Sequence, residues 1–379
     1  MAGLIAFAFV WNGRLPGETI LVALAAKDLR VQAHDWTVDF VKVREAIRLQ
    51  IVFWSALIAL TLSWRWTREN RLKEYCRSHI FCWSIAAACS TSLFVLLVRC
   101  SQERLFYPIR DLMTAPGTVP IFGHRLLWVW LADGLKLAHP SLNFHQAYLL
   151  SQIPPIVLTV WAVGRWSAVY VGEGLHWIGQ VILVPMLAAT FDYFTFYDIA
   201  IVFFFTAGLL FLKKRQYTAF VVLLVIGTLN HENILLLVPI AFLETYPNRR
   251  LCASVCGSVL LGHFAVREAL QTAFHLPHQL DIRFWTNLYF PFVYPKMLLI
   301  SIFTLIFWWV AAASSWSLAE PFLRHAALLL PMLFVVTFIF GQFHEARQFD
   351  GLIPVVIAFL LLRIPHSSEV PAASPGLCQ

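Results

Sequence analysis

The sequence predicts an all-α chain: a polytopic transmembrane helix bundle of eleven to twelve spans, with short interfacial helices on its outer face. Three observations predict it. Of 379 residues, 59% are hydrophobic and only 13% charged, with a mean hydropathy of +0.71. A soluble chain carries about 45–50% apolar and about 25% charged residues, so too few charges are present to cover this much apolar surface in water. Apolar runs approaching the roughly 20 residues that a crossing needs recur along the whole chain. Lys and Arg gather in alternate short connections, as the positive-inside rule expects. Soluble globular, disordered and fibrous classes are excluded. The net charge of +7 does not signal a nucleic-acid partner, because the basic residues flank apolar runs, where they face anionic lipid.

The spans fall near 49–64, 80–98, 147–164, 174–190, 197–212, 217–229, 233–246, 251–266, 297–313, 326–342 and 351–364. A twelfth apolar run over 3–26 is interrupted by Arg14, Pro16, Gly17 and Glu18, and reads as a broken span or an interfacial helix. No positive n-region precedes it, so it does not read as a cleavable signal. Arg65–Arg77, Lys213–Arg215 and Arg249–Arg250 fall on one side by the span count, which makes that side cytoplasmic. Residues 1–365 then form one membrane domain, and the Ser/Pro/Ala-rich 366–379 a disordered cytoplasmic tail. The seven Cys lack metal-type spacing and read as membrane-embedded thiols rather than a disulfide framework. No solenoid repeat or inverted transporter repeat is visible, and no phosphate-loop, dinucleotide, zinc-protease or nucleophile-elbow motif.

The other face carries 14 of the 21 acidic residues and 14 of the 28 basic ones, interleaved with aromatics, so any site is expected there. In its first segment, Asp35 and Asp39 are four apart and share a helix face beside His34, a pattern suited to a general base or a divalent cation, or to an amphipathic surface helix. In the second, Arg104, Arg110, His124 and Arg125 form a cationic cluster that would hold phosphate through the planar Arg fork, or snorkel to headgroups. The stretch 125–137 is short and amphipathic, with Trp128 and Trp130 placed for the interface. The loop FDYFTFYD sets Asp192 and Asp198 around aromatic residues, a composition suited to sugars or to an aromatic belt.

Two turns are more pointed. Asn230, His231 and Glu232 lie between apolar runs, as do His344, Glu345, Arg347 and Asp350. Asn230 or Asp350 could cap the following helix, and a Glu there gains from its dipole. Ionisable groups at the edge of a membrane bundle are otherwise costly and usually functional. A third grouping, His263, His275 and His278, has no specific metal spacing.

The first-loop acids, FYPIR and FGHRLLWVWLADGL, the YD loop at Tyr197–Asp198, the NHE turn before Pro239 and the HEAR turn before Pro354 together resemble the GT-C superfamily of multi-pass membrane glycosyltransferases, with the nearest likeness to bacterial members. The resemblance implies an inverting transfer from a polyprenyl-phosphate-linked sugar donor at the outer face of a bacterial inner membrane, for cell-envelope glycan or glycolipid synthesis. It implies that Asp35 or Asp39 deprotonates the acceptor and that Arg347, Arg104 and Arg110 stabilise the leaving phosphate, with room for an assisting divalent cation. The other lipid-linked readings are a polysaccharide polymerase or ligase, and a transporter or flippase. The chain departs from the family in having no DxD or ExD pattern in its first loop and no soluble acceptor-binding domain after the membrane part.

Overall fold

The computed structural model describes residues 79–100, 127–190, 198–275, 284–285, 287–288, 306, 308–310, 312–341 and 346–364. Among these residues all regular structure is helical, and no strand occurs. The helices are α1 (His79–Cys100), α2 (Leu127–Ala138), α3 (Phe144–Ser151), α4 (Ile153–Val171), α5 (Trp177–Thr190), α6 (Asp198–Lys213) and α7 (Tyr217–Gly227). They continue with α8 (Leu237–Thr245), α9 (Arg249–Phe274), α10 (Pro321–Ala326), α11 (Leu329–Phe340) and α12 (Ile353–Leu361). Short 3-10 turns at Glu232–Leu236 and Ala346–Leu352 lead into α8 and α12.

Local chemistry explains the boundaries. Asn143 and Gln146 form a reciprocal capping box at the start of α3, satisfying two backbone donors that the first turn leaves open. Asn248 caps α9 by accepting from the Leu251 amide at 3.1 Å. Prolines open α4, α10 and α12, where a missing N–H costs nothing. At the far end of α9, His275 takes a left-handed conformation with φ 52° and closes the helix.

Among the described residues, four stretches are long and apolar enough to cross a membrane: His79–Val98, Phe144–Val171, Arg249–Ala273 and Pro321–Phe340. Several expected spans are shorter than a full crossing. Helix α6 has 16 residues, while α8 and α12 have nine each. At 1.5 Å per residue these rise only about 24 and about 14 Å, against a hydrocarbon thickness of about 30 Å. The reason is the same for α8 and α12: a polar 3-10 turn takes the place of the helix's outer portion.

Helices α4, α6 and α12 form the centre. Trp166, Phe205 and Phe359 are fully buried there, and α6 buries even its polar Thr206. Helices α1 and α9 lie further out. Trp83, Ile80, Leu261 and Phe264 are exposed by 62% or more. An apolar face turned outward on a helix of spanning length has the character of a chain that meets lipid rather than water.

Because α6 and α7 are joined only by Lys214–Gln216, they run antiparallel, and the chain sense fixes two ends. Lys213, the 247–250 connection and the start of α10 lie at one end, where Lys213 pairs with Glu320 and the Glu244 carboxylate meets His325 Nδ1 at 2.7 Å. Asp198, the 228–232 segment, Gly341 and Arg347 lie at the other.

Candidate functional site

At the Asp198 end, the 346–352 turn packs against α6 and α11. It places Arg347 Nη1 3.5 Å from Asp198 Oδ2, with the two side chains 5% and 2% exposed. In a 3-10 turn, residues three apart eclipse one another, so Asp350, which is fully buried, lies on the same face as Arg347. Three residues on from Asp198 the wall is already apolar: Ile201 and Val202 on α6, with Phe349 on the turn itself, are buried. Charges in such surroundings persist only when paired, because desolvation is costly. Gly351 presses on the Phe205 ring: a Cβ there would lie 3.0 Å from three ring atoms. That contact seats the turn against α6 and sets the register of Arg347 with Asp198.

The 228–232 segment has a different construction. The Trp128 indole donates to Asn230 Oδ1, and the Leu127 amide donates to the Leu229 carbonyl at 3.3 Å, so α2 docks on the turn. Thr228 Oγ1 lies 3.0 Å from His263 Nδ1 of α9. His231 Nδ1 accepts from the Asn233 amide at 3.1 Å and caps the 3-10 turn. The same nitrogen is 3.8 Å from Glu232 Oε2. It cannot both accept and carry a proton. The backbone bond is shorter and has cap geometry, so the Nδ1 lone pair faces the Asn233 amide.

These positions correct the sequence reading in several places. His231, not Asn230, caps the turn, and Asn230 serves as the acceptor for Trp128. Asp350 is not a cap but lies buried inside the 346–352 turn. Trp128 is buried and hydrogen bonded, whereas Trp130 is the outward tryptophan at 42% exposure. His263 and His275 do not cluster: twelve helical positions separate them by about 18 Å. Among the described residues, no three His, Cys, Asp or Glu side chains are placed to share a metal ion.

Asp198 and Arg347 are therefore brought together, with His231 and Glu232 at the same end of the helices; α6 and α11 touch both turns. Asp35, Asp39, Arg104, Arg110, His124, Arg125, Asp192, His278, His344 and Glu345 lie outside the described residues. One contributor was missed from sequence. Asn287, buried, donates its amide to the carbonyls of Phe338 at 2.8 Å and Gly341 at 2.9 Å, closing the end of α11 before the Arg347 turn. Its only signal was a lone amide within the aromatic run FWTNLYF.

Below the turn, Trp308, Trp309, Trp316, Pro331, Leu352 and Val356 line an almost wholly apolar cavity of about 370 Å³. Leu352 belongs both to this cavity and to the 346–352 turn. No family model, curated protein or solved structure matches this chain.

Proposed function

We propose that the protein is a multi-pass membrane glycosyltransferase of the GT-C kind, transferring sugar from a polyprenyl-phosphate-linked donor at the outer membrane face with inversion. The observation that carries this reading is the buried Asp198–Arg347 pair, with Asp350 on the same face, at one end of an apolar helical assembly. In the proposed reaction, Asp35 or Asp39 takes the proton of the acceptor hydroxyl. The freed oxygen attacks the anomeric carbon opposite the phosphate, and the bond from that carbon to the phosphate oxygen breaks. The leaving lipid phosphate accumulates negative charge, which preorganised cations stabilise. Asp198 Oδ2 lies 3.5 Å from Arg347 Nη1, and the planar guanidinium fork matches a phosphate. The apolar cavity beneath the turn suits the first isoprenyl units of such a donor.

Membranes containing the protein, supplied with undecaprenyl phosphate carrying labelled sugars, test the activity. The expected result is transfer that Arg347→Lys reduces at least tenfold, since Lys keeps the charge but loses the fork, in a variant whose melting shows it folded. Undiminished transfer by that variant would remove Arg347 from the phosphate site. The orientation is tested separately by impermeant thiol labelling of intact cells in a cysteine-free background. His275→Cys should react and Lys214→Cys should not.

A further inference from the structure

Gln152 sits at the elbow between α3 and α4, fully buried, and neither its amide oxygen nor its amide nitrogen has a hydrogen-bond partner. A carboxamide carries an acceptor and two donor hydrogens, and buried polar groups are almost always bonded. The backbone at this point is helical, φ −83° and ψ −10°, and its amide continues the ladder to Tyr148. Helical geometry therefore fixes where the side chain points. Gln152, Ile156, Thr159, Val163 and Trp166 form one buried stripe. Within it, Thr159 Oγ1, which donates to the Pro155 carbonyl at 2.6 Å, lies 3.0 Å from the Ile199 carbonyl, and the Trp166 indole donates to the Pro354 carbonyl at 2.7 Å. The stripe thus faces α6 and α12, the two helices that carry the Asp198 end. Seven residues before Thr159, Gln152 lies on the same face and about 10 Å further along the axis. That places it beyond the first residue of α6, on the side of the Asp198–Arg347 pair.

We infer that Gln152 is a sugar-binding residue of this site. Its amide oxygen accepts from one hydroxyl of the donor sugar and its amide nitrogen donates to the neighbouring hydroxyl. Vicinal hydroxyls present a donor and an acceptor side by side, the complement of a carboxamide. A neutral group suits a neutral sugar, while Arg347 answers the phosphate. Gln180, the other buried glutamine with an open oxygen, does not compete for the role. Its nitrogen is already bonded to the Val160 carbonyl at 3.1 Å, within the α4–α5 interface.

The assignment rests on the glycosyltransferase reading, and one experiment separates the two. The purified full chain in nanodiscs is titrated with undecaprenyl phosphate alone and with undecaprenyl phosphate bearing glucose, mannose, galactose or arabinose. Wild type is expected to bind at least one sugar-bearing lipid about tenfold or more tightly than the bare lipid phosphate. Gln152→Met, similar in length but apolar, should bind the bare lipid as wild type does and lose that preference. It should also melt at or above the wild-type temperature, because the open amide is gone. If Met does not fold, Gln152→Ala gives the same comparison without added bulk. A folded variant that keeps the preference overturns the role of Gln152, as does a wild type that prefers no sugar over the bare lipid. A wild type that binds none of these lipids overturns the glycosyltransferase reading itself.

Discussion

The 232–236 and 346–352 turns invite comparison because they are assembled alike. Each follows a helix that climbs to the Asp198 end, touches α6 and α11, and leads into a nine-residue helix with a proline among its first three residues. A glycine meets a phenylalanine of α6 in both places: Gly227, the last residue of α7 before the first turn, lies against Ile234 and Phe204, and Gly351, within the second turn, lies against Phe205. They differ in where their polarity goes. In the first turn, His231 caps the backbone, Asn230 receives the Trp128 indole, and Glu232 remains 31% exposed at its side chain. In the second, Arg347, Asp198 and Asp350 are 5% exposed or less. The first turn uses polar groups to satisfy its own backbone, and could do so in any protein. The second encloses an arginine and two aspartates in surroundings where charge is costly, and that is the pattern expected of a working site.

The largest expected effect comes from breaking the buried pair. Arg347→Ala removes the cation that faces the buried Asp198 carboxylate and should cost about 3–5 kcal/mol, read as a lower melting point in detergent. Combining Arg347→Met with Asp198→Leu should recover part of that loss, since it removes the desolvation cost of this pair while the buried Asp350 keeps its own. An Arg347→Ala protein that melts like wild type would erase the distinction between the turns.

The glycines sharpen it. Gly351→Ala must move the Phe205 ring and should cost about 1–3 kcal/mol in the same melt. Gly227→Ala first meets the end of the flexible Ile234 side chain and then Phe204, and regains helix propensity of about 1 kcal/mol, so its net loss should be smaller. Equal losses would mean that the two turns are seated with equal tightness.

Smaller again is Trp128→Phe, which removes only the bond to Asn230 and should cost about 1 kcal/mol by thermal melting. The least effect on stability is expected from Glu232→Gln, within about 0.5 kcal/mol for a side chain that is about a third exposed. If Glu232 contributes to substrate binding, sugar transfer falls in this variant while its melting stays put. A large melting loss would instead make Glu232 part of the turn's framework.

Much of this was legible in the residues. The helical class and the basic and acidic ends follow from hydropathy and from Lys213–Arg215 and Arg249–Arg250, both being properties of single segments. The two turns were legible as places where charge interrupts apolar runs. Their internal geometry was not: the choice of His231 over Asn230 as cap depends on a 3-10 turn that spacing cannot distinguish from an α-helical start. Span length also misled, because the apolar runs 233–246 and 351–364 each include residues that the structure gives to a turn or to the chain beyond the helix.

By itself, the sequence determined where the chain is apolar enough to leave water and which end of each run is basic, because burial and charge are summed residue by residue along a segment. Only the tertiary structure decided which charges meet. Asp198 and Arg347 lie 149 positions apart, and nothing local to either one names the other. Their pairing follows from Gly351 lying on Phe205, from Asn287 closing α11, and from the cost of leaving either charge alone among apolar side chains.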